Sequence, residues 1–110
     1  MSSDPLFPAR RETDAPTTPR LLPPYHVVLF NDEYHSGEFV TLVLTKVMGW
    51  SMEQALACAW EAHDLGRAIV WTGPKEVAEF KLEQLLTYRE KRDGIHLGPL
   101  DCTIEPAPGT

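Results

Sequence analysis

Hydrophobic and polar positions along the chain fall into runs that predict strands and helices in alternation. A β-branched and aromatic run, YHVVLF, follows two prolines and predicts a strand over Tyr25–Phe30. Helical spacing of apolar residues then predicts a first helix that opens at position 35 or 36 and ends near Gly49; its members are Phe39, Val40, Val43, Leu44 and Val47. Ser51, with Gln54 three residues later, forms a capping-box pair and predicts a second helix that ends at Gly66.

The second half of the chain carries a strand, a helix and a last short strand. The run RAIVWT, residues 67–72, predicts the second strand. Gly73 and Pro74 break that strand, and Pro74 suits the first position of a third helix, which is predicted to continue to Gly94. Residues 100–104 predict a third strand. The order β-α-α-β-α-β is typical of a small α+β domain, in which a three-stranded antiparallel sheet packs against three helices.

The two ends of the chain differ in composition from its middle. Residues 1–24 hold six of the ten prolines and few apolar side chains. Such a segment cannot bury enough surface to fold by itself. We expect a flexible N-terminal extension over 1–24, one folded domain over 25–105 and a flexible tail over 106–110. The charges of the extension cancel, so the folded domain carries the net charge of −6.

Composition and charge argue against several classes of function. The 10 basic residues form no cluster and are outnumbered by 16 acidic ones, so we do not expect nucleic-acid binding. No apolar run reaches about 18 residues, so no membrane-spanning segment is expected. The N-terminus lacks an apolar signal, and the two cysteines, Cys58 and Cys102, lie far apart. These features predict a protein of the reducing cytoplasm.

Polar acceptor groups follow the first predicted strand directly, as Asn31, Asp32 and Glu33. One interpretation is a turn in which these side chains bond to the backbone. The other is a small binding site, because a carbonyl and a carboxylate together suit a primary ammonium, which has three donors and no acceptor.

A histidine and two small residues share one face of the second predicted helix. Ala59, Ala62 and His63 lie close together at helical spacing. A histidine on such a face is often structural. Small residues at core-facing positions nevertheless leave space, which either a neighbouring side chain or a ligand must fill.

Four segments together resemble the ClpS adaptor family of ATP-dependent Clp proteases. They are VVLFNDEYHSGEFV, EAHDLGRAI, PKEVAEFKLEQL and LDCTIE, and the resemblance covers residues 24–105 in the same order of elements. It implies an adaptor that binds substrates with a free α-amino group and a large hydrophobic first side chain. It also implies delivery of these substrates to the N-terminal domain of a ClpA- or ClpC-type unfoldase, helped by the N-terminal extension.

The same resemblance implies roles for individual residues. The α-amino group would be held by Asn31, Asp32 and His63. The walls of the side-chain pocket would include Val40, Ala59, Ala62 and Leu100, and its mouth would lie at Gly37. Glu33 and His35 would belong to the same pocket. The unfoldase would contact Glu76 and Lys81.

Three positions depart from the family pattern. His35 stands where the family has a small hydroxyl residue, Gly37 where it has Met, and Ala62 where it often has Val. The resemblance therefore implies a wider pocket with an altered preference among first side chains. An imidazole at position 35 that leans inward would refill part of the space.

The third predicted helix places one aromatic residue away from its apolar face. Val77, Ala78 and the leucines at 82, 85 and 86 share a face, whereas Phe80 lies on the opposite side among glutamates. Phe80 follows Glu76 by one turn. We expect it to extend the surface that contacts the unfoldase.

Two other classes of function use the same polar residues. An enzyme would use Asp32 or Glu33 with His63 as acid and base, but no nucleophile motif or glycine-rich loop accompanies them. A metal site would draw on His26, His35, His63 and Glu33, which show no paired ligand spacing. We expect no enzyme, no metal and no cofactor. A third alternative is a ClpS-like domain that docks on an unfoldase without reading N-termini.

Overall fold

A computed structural model describes residues 22–108 of the chain. In chain order the elements are β1 (Tyr25–Phe30), α1 (Gly37–Met48), α2 (Met52–Leu65), β2 (Arg67–Gly73), α3 (Lys75–Thr87), β3 (Lys91–Arg92), β4 (Ile95–His96) and β5 (Cys102–Pro106). The predicted α+β fold is confirmed, because three helices accompany a three-stranded antiparallel sheet of β1, β2 and β5; α2 and α3 pack against the sheet, and α1 packs against these two helices.

The sheet has the order β2-β1-β5, so the first strand lies at its centre. Strand β1 runs against β2 from Tyr25 opposite Gly73 to Phe30 opposite Arg67, with a bulge that leaves Val70 without a direct partner. Its other edge pairs with β5. Three successive residues of β1, Val27, Val28 and Leu29, are buried, which explains the unbroken apolar run, since a strand buried on both faces needs no polar alternation.

The apolar core lies between the sheet and the helices. It contains Val27 and Leu29 of β1, Ala68 and Val70 of β2, and side chains from all three helices, including Leu44, Ala55 and Leu85. Leu44 and Leu85 are fully buried. Removing one such leucine side chain costs about 2–5 kcal/mol of folding free energy. The helices therefore hold a fixed position against the sheet, and α2 crosses close to the end of β1.

The predicted ends of α1 and α2 are confirmed. The hydroxyl of Ser36 accepts a hydrogen bond from the Phe39 N–H, and α1 ends at Gly49, whose φ of 71° is left-handed. Ser51 and Gln54 form the predicted capping box, and α2 ends at Gly66 with a φ of 90°. A left-handed residue at a helix end favours glycine because other side chains would clash there.

The prediction was wrong for the region after α3. The helix ends at Thr87 rather than near Gly94, and a short hairpin of β3 and β4 follows. The Asp-Gly pair at the hairpin turn has positive φ at both residues, 53° at Asp93 and 80° at Gly94. Asp-Gly is a strong signal for a two-residue hairpin turn, and this signal outweighs the helical spacing before it. Strand β5 also begins later than predicted, at Cys102.

The predicted boundaries at the chain ends have different outcomes. Residues 1–21, most of the predicted extension, lie outside the described residues. Pro106, predicted as the start of a flexible tail, is the last residue of β5. The Ala107 N–H then donates a hydrogen bond of 2.8 Å to the Pro24 carbonyl, so the ordered structure continues past position 105.

Candidate functional site

A cavity of about 490 Å³ opens where β1 ends, between the loop before α1 and one face of α2. Its lining combines polar side chains, Asn31, Asp32 and His63, here called the acceptor-rich end, with small and apolar side chains, here called the apolar floor. The lining residues are Leu29, Phe30, Asn31, Asp32, Glu33, His35, Gly37, Glu38, Val40, Leu56, Ala59, Trp60, Ala62 and His63. Nine of the ten residues predicted for the α-amino site and the side-chain pocket are therefore brought together around one space.

The tenth, Leu100, lies elsewhere. It is 2% exposed and belongs to the apolar core, not to the lining of the cavity. Five lining residues were not predicted, namely Leu29, Phe30, Glu38, Leu56 and Trp60. Leu56 and Trp60 precede His63 at helical spacing, so this spacing was a signal that they share its face.

Asn31 is fixed at the rim through its backbone and its side chain. Its N–H donates to the Gly66 carbonyl at 3.0 Å, which ties the end of β1 to the end of α2. Its side-chain amide donates to Glu33 Oε2 at 3.3 Å. An amide that donates through its nitrogen keeps its carbonyl oxygen as an acceptor.

Asp32 organises the loop before α1. Its Oδ1 accepts hydrogen bonds from the N–H groups of Tyr34 at 2.7 Å and His35 at 3.1 Å, and its Oδ2 lies 2.5 Å from Nδ1 of His35. Burial of the carboxyl opposes ionisation, but the hydrogen bonds from Tyr34 and His35 outweigh it and hold the pKa of Asp32 below its ordinary value of 3.8. The group is therefore a carboxylate at neutral pH, with an exposed fraction of only 8%.

His35 leans inward and is 4% exposed. Its Nε2 lies 2.7 Å from the Gly98 carbonyl oxygen, and its ring stacks on Phe39 with centroids 5.5 Å apart. Both ring nitrogens thus face acceptors, a carboxylate and a carbonyl. The imidazole side chain therefore bridges the loop of Asp32 to the segment before β5.

His63 lines the cavity from the last turns of α2. Its ring lies 5.5 Å from the ring of Trp60, at an interplanar angle of 45°. Within residues 22–108 no protein group is hydrogen-bonded to the ring of His63. This imidazole is exposed and lines the cavity, so a ligand is able to reach it.

The apolar floor is made by small and buried side chains. Val40, Ala62 and Leu29 are buried, and Ala59 is half-buried. At Gly37 an added Cβ would meet no atom within 4 Å, so the mouth is open on the side of α1. Small residues on α2 and a glycine on α1 account for the cavity, because a well-packed interior leaves no comparable void.

The residues predicted to contact an unfoldase lie away from the cavity, on α3. Phe80 is 59% exposed, as the helical spacing predicts. The ammonium of Lys81 lies 5.6 Å from the ring centre of Trp71 on β2, and Glu76 is in the first turn of the helix. None of the three lines the cavity.

The described residues contain no activated thiol, no metal-binding cluster and no membrane-spanning helix. Burial raises the pKa of Cys58 to about 11 and that of Cys102 to about 12, so neither thiol is an activated nucleophile. No cluster of three metal-ligating side chains occurs in the part of the chain that the structure describes. None of the helices in that part is both long enough and apolar enough to cross a membrane.

Comparison with known proteins places the chain in a family. The family model described as "ATP-dependent Clp protease adaptor protein ClpS" matches residues 21–103. The chain belongs to the ClpS family. ClpS proteins are adaptors and not enzymes, so the resemblance stated from the sequence, the adaptor function and the expectation of no enzymatic activity are confirmed.

Similar ClpS proteins cover most of the chain. The ClpS adapter of a Ruegeria species is 39% identical over 83 residues, which are 76% of this chain and 70% of that protein. The adapter of Vibrio cholerae is 40% identical over 83 residues, 76% of this chain and 74% of that protein. A solved structure of Agrobacterium tumefaciens ClpS2 bound to L-phenylalaninamide superposes with a TM-score of 0.68 at 32% identity, and covers 77% of this chain and 98% of that chain.

Proposed function

We propose that this ClpS adaptor reads the N-terminal residue of its substrates. It binds a free α-amino group at the acceptor-rich end of the cavity and a large hydrophobic first side chain on the apolar floor. It then delivers the substrate to a ClpA- or ClpC-type unfoldase in the cytoplasm. The observation that carries the proposal is that Asn31, Asp32 and His63 line one cavity together with apolar side chains.

The acceptor-rich end suits an ammonium group. The Asn31 carbonyl, the Asp32 carboxylate and a neutral His63 nitrogen are acceptors, and an α-ammonium group donates three hydrogen bonds. A hydrogen bond to a charged group contributes about 1.5–3 kcal/mol. An N-acetylated peptide lacks the charge and two of the donors, so this end of the cavity favours a free N-terminus.

The apolar floor suits a large first side chain. Burial of a Leu or Phe side chain contributes about 1.5–3 kcal/mol. The relative from Agrobacterium was solved with L-phenylalaninamide, a molecule with a free α-amino group and a Phe side chain. With the ammonium hydrogen bonds and after the cost of ordering a peptide, these terms give an affinity near micromolar.

Partner docking uses a separate surface on α3. Phe80 is an exposed aromatic anchor, and Glu76 and Lys81 supply charge beside it. Since none of these residues lines the cavity, the adaptor is able to hold a substrate and an unfoldase at the same time. The N-terminal extension, residues 1–24, acts in delivery.

One observation favours a second candidate, a domain that docks on an unfoldase without reading N-termini. The Asp32 carboxylate already accepts three hydrogen bonds, including that of His35, and is nearly buried. A carboxylate has about four acceptor positions, so one remains for an ammonium donor. The second candidate predicts that this last position is not used.

The experiment that separates the two candidates is a peptide panel measured by fluorescence anisotropy. Peptides with Leu, Phe, Trp, Ile or Gly first are compared, each with a free and with an acetylated N-terminus. The proposal predicts binding of the free Leu, Phe and Trp peptides and loss of binding on acetylation. Equal affinity for free and acetylated peptides would leave only the docking function.

A further inference from the structure

An apolar rim on α2 borders the cavity beside His63. Trp60 is 55% exposed and Leu56 is 46% exposed, and both line the cavity. They lie one and two turns before His63 on the same face of the helix. Single exposed apolar residues are common on proteins. Two large ones that border the same cavity form a continuous apolar edge.

We infer that Trp60 and Leu56 form a second subsite, which takes the side chain of the second residue of the bound peptide and favours large apolar or aromatic groups. This inference rests on the proposed function, because it assumes a first residue held in the cavity. The cavity volume agrees with it. Pockets of about 300–1,000 Å³ hold whole drug-sized ligands, and about 490 Å³ offers more room than one side chain fills.

The geometry of a peptide places its second side chain at this rim. The ring of Trp60 lies 5.5 Å from the ring of His63, one of the three groups proposed to hold the amine. Consecutive Cα atoms are about 3.8 Å apart, and the first Cα lies about 1.5 Å from the amine nitrogen. The second Cα is therefore within about 5 Å of the bound nitrogen, and Trp60 is the aromatic neighbour of His63, so a second side chain is able to reach this rim.

The two sides of the mouth differ in chemistry, and this difference sets the expected preference. The α2 side presents Trp60 and Leu56, whereas the side of the loop and α1 presents the carboxylates of Glu33 and Glu38. An aromatic or aliphatic second side chain packs on the first side. An acidic one is repelled by the carboxylates of the second side.

The test measures second-residue preference by fluorescence anisotropy of labelled peptides with free N-termini. The peptides begin with Phe and carry Trp, Leu, Ala, Arg or Glu second. Wild-type protein is compared with Trp60→Ala and with Leu65→Ala, a matched control on the same helix that is 73% exposed and outside the cavity. We expect the peptides with Trp or Leu second to bind about three- to tenfold more tightly than the peptide with Ala second, both to wild-type protein and to Leu65→Ala. In Trp60→Ala this advantage is lost.

The outcomes distinguish the subsite from the function on which it rests. An unchanged second-residue ranking in Trp60→Ala, with first-residue dependence intact, overturns the subsite alone. The subsite is also overturned if wild-type protein binds the peptide with Arg second more tightly than the peptides with Trp or Leu second, because the carboxylates of Glu33 and Glu38 then decide the preference. If even the wild type binds Phe-first, Gly-first and acetylated peptides equally, the proposed function itself fails. If Trp60→Ala does not fold, Leu56→Ala replaces it in the test. In Leu56→Ala the tighter binding of peptides with Trp or Leu second should be partly lost.

Discussion

Restoring a methionine at Gly37 gives a direct test of how the mouth of the cavity sets the choice of first residue. Gly37 is exposed at the first position of α1, and an added Cβ would meet no atom within 4 Å. The substitution is therefore expected to fold. A Met side chain would cover the open side of the cavity and add contacts to an occupant.

The magnitude follows from the area that such a side chain can bury. A fully buried Met contributes about 1.5–3 kcal/mol. At a solvent-exposed rim about half of this is realised, so Gly37→Met should tighten Leu-first or Phe-first peptides by about 1–1.5 kcal/mol, roughly five- to tenfold in Kd. Ile-first and Val-first peptides should gain nothing or weaken, because their Cβ carries two heavy atoms that meet the new side chain.

Gly37→Ala serves as the control, since Gly to any residue in a helix also changes helix stability by up to about 1 kcal/mol. That effect is equal in the free and bound protein, so Gly37→Ala should leave Kd nearly unchanged. The assay is the first-residue peptide panel measured on wild type and both variants. An identical ranking of Leu, Phe, Ile and Val in wild type and Gly37→Met would show that position 37 is not at the mouth, and would refute the placement of the site along this loop.

Four further outcomes are expected. Asp32→Ala or His63→Ala should weaken peptide binding at least about tenfold, since a hydrogen bond to a charged group contributes about 1.5–3 kcal/mol; unchanged anisotropy titrations in both variants would contradict the amine site. Phe80→Ala should reduce co-precipitation with an unfoldase N-terminal domain and leave peptide affinity unchanged. Deletion of residues 1–22 should leave both unfoldase binding and peptide binding unchanged and should slow substrate degradation. Gly73→Ala should lower the thermal midpoint, because the ring of Trp71 occupies the space of the new Cβ; an unaltered midpoint would mean that the ring moves freely. Finally, the lowered pKa of Asp32 means that its ionised form stabilises the fold. This contribution to the free energy of unfolding should be complete above pH 3.8 and lost as the pH falls through the lower folded pKa. Urea unfolding between about pH 5 and pH 2 measures it. In Asp32→Asn this pH dependence should disappear.

Local signals in the sequence were sufficient for the elements that form the cavity. The caps at Ser36 and Ser51 and the glycines at 49 and 66 act over a few residues, so their pattern determines where α1 and α2 end. The strand β1 was equally clear. The helical spacing after position 75 was misleading, because a helix of good spacing still ends where a hairpin turn is more stable.

The interior of the site depended on contacts that no local pattern contains. His35 was assigned to the side-chain pocket, but its ring is held by Asp32 and by the carbonyl of Gly98, a residue 63 positions away. Leu100 was assigned to the pocket wall through the family resemblance, and it lies in the core. Which way a side chain turns near a chain crossing is decided by tertiary neighbours, and these cannot be read from spacing along one segment.

The bridge from His35 to Gly98 has a consequence for the order in which the protein matures. The residues that line the cavity lie between 29 and 63, so they leave the ribosome early. The N–H of Phe30, at the edge of this cavity, bonds to Asp101, and His35 bonds to Gly98. Contacts between residues so distant in sequence form late. A nascent chain that ends before position 98 therefore contains every residue that lines the cavity but lacks the segment that holds the loop of His35 in place. The complete site forms only after the last strand has been synthesised.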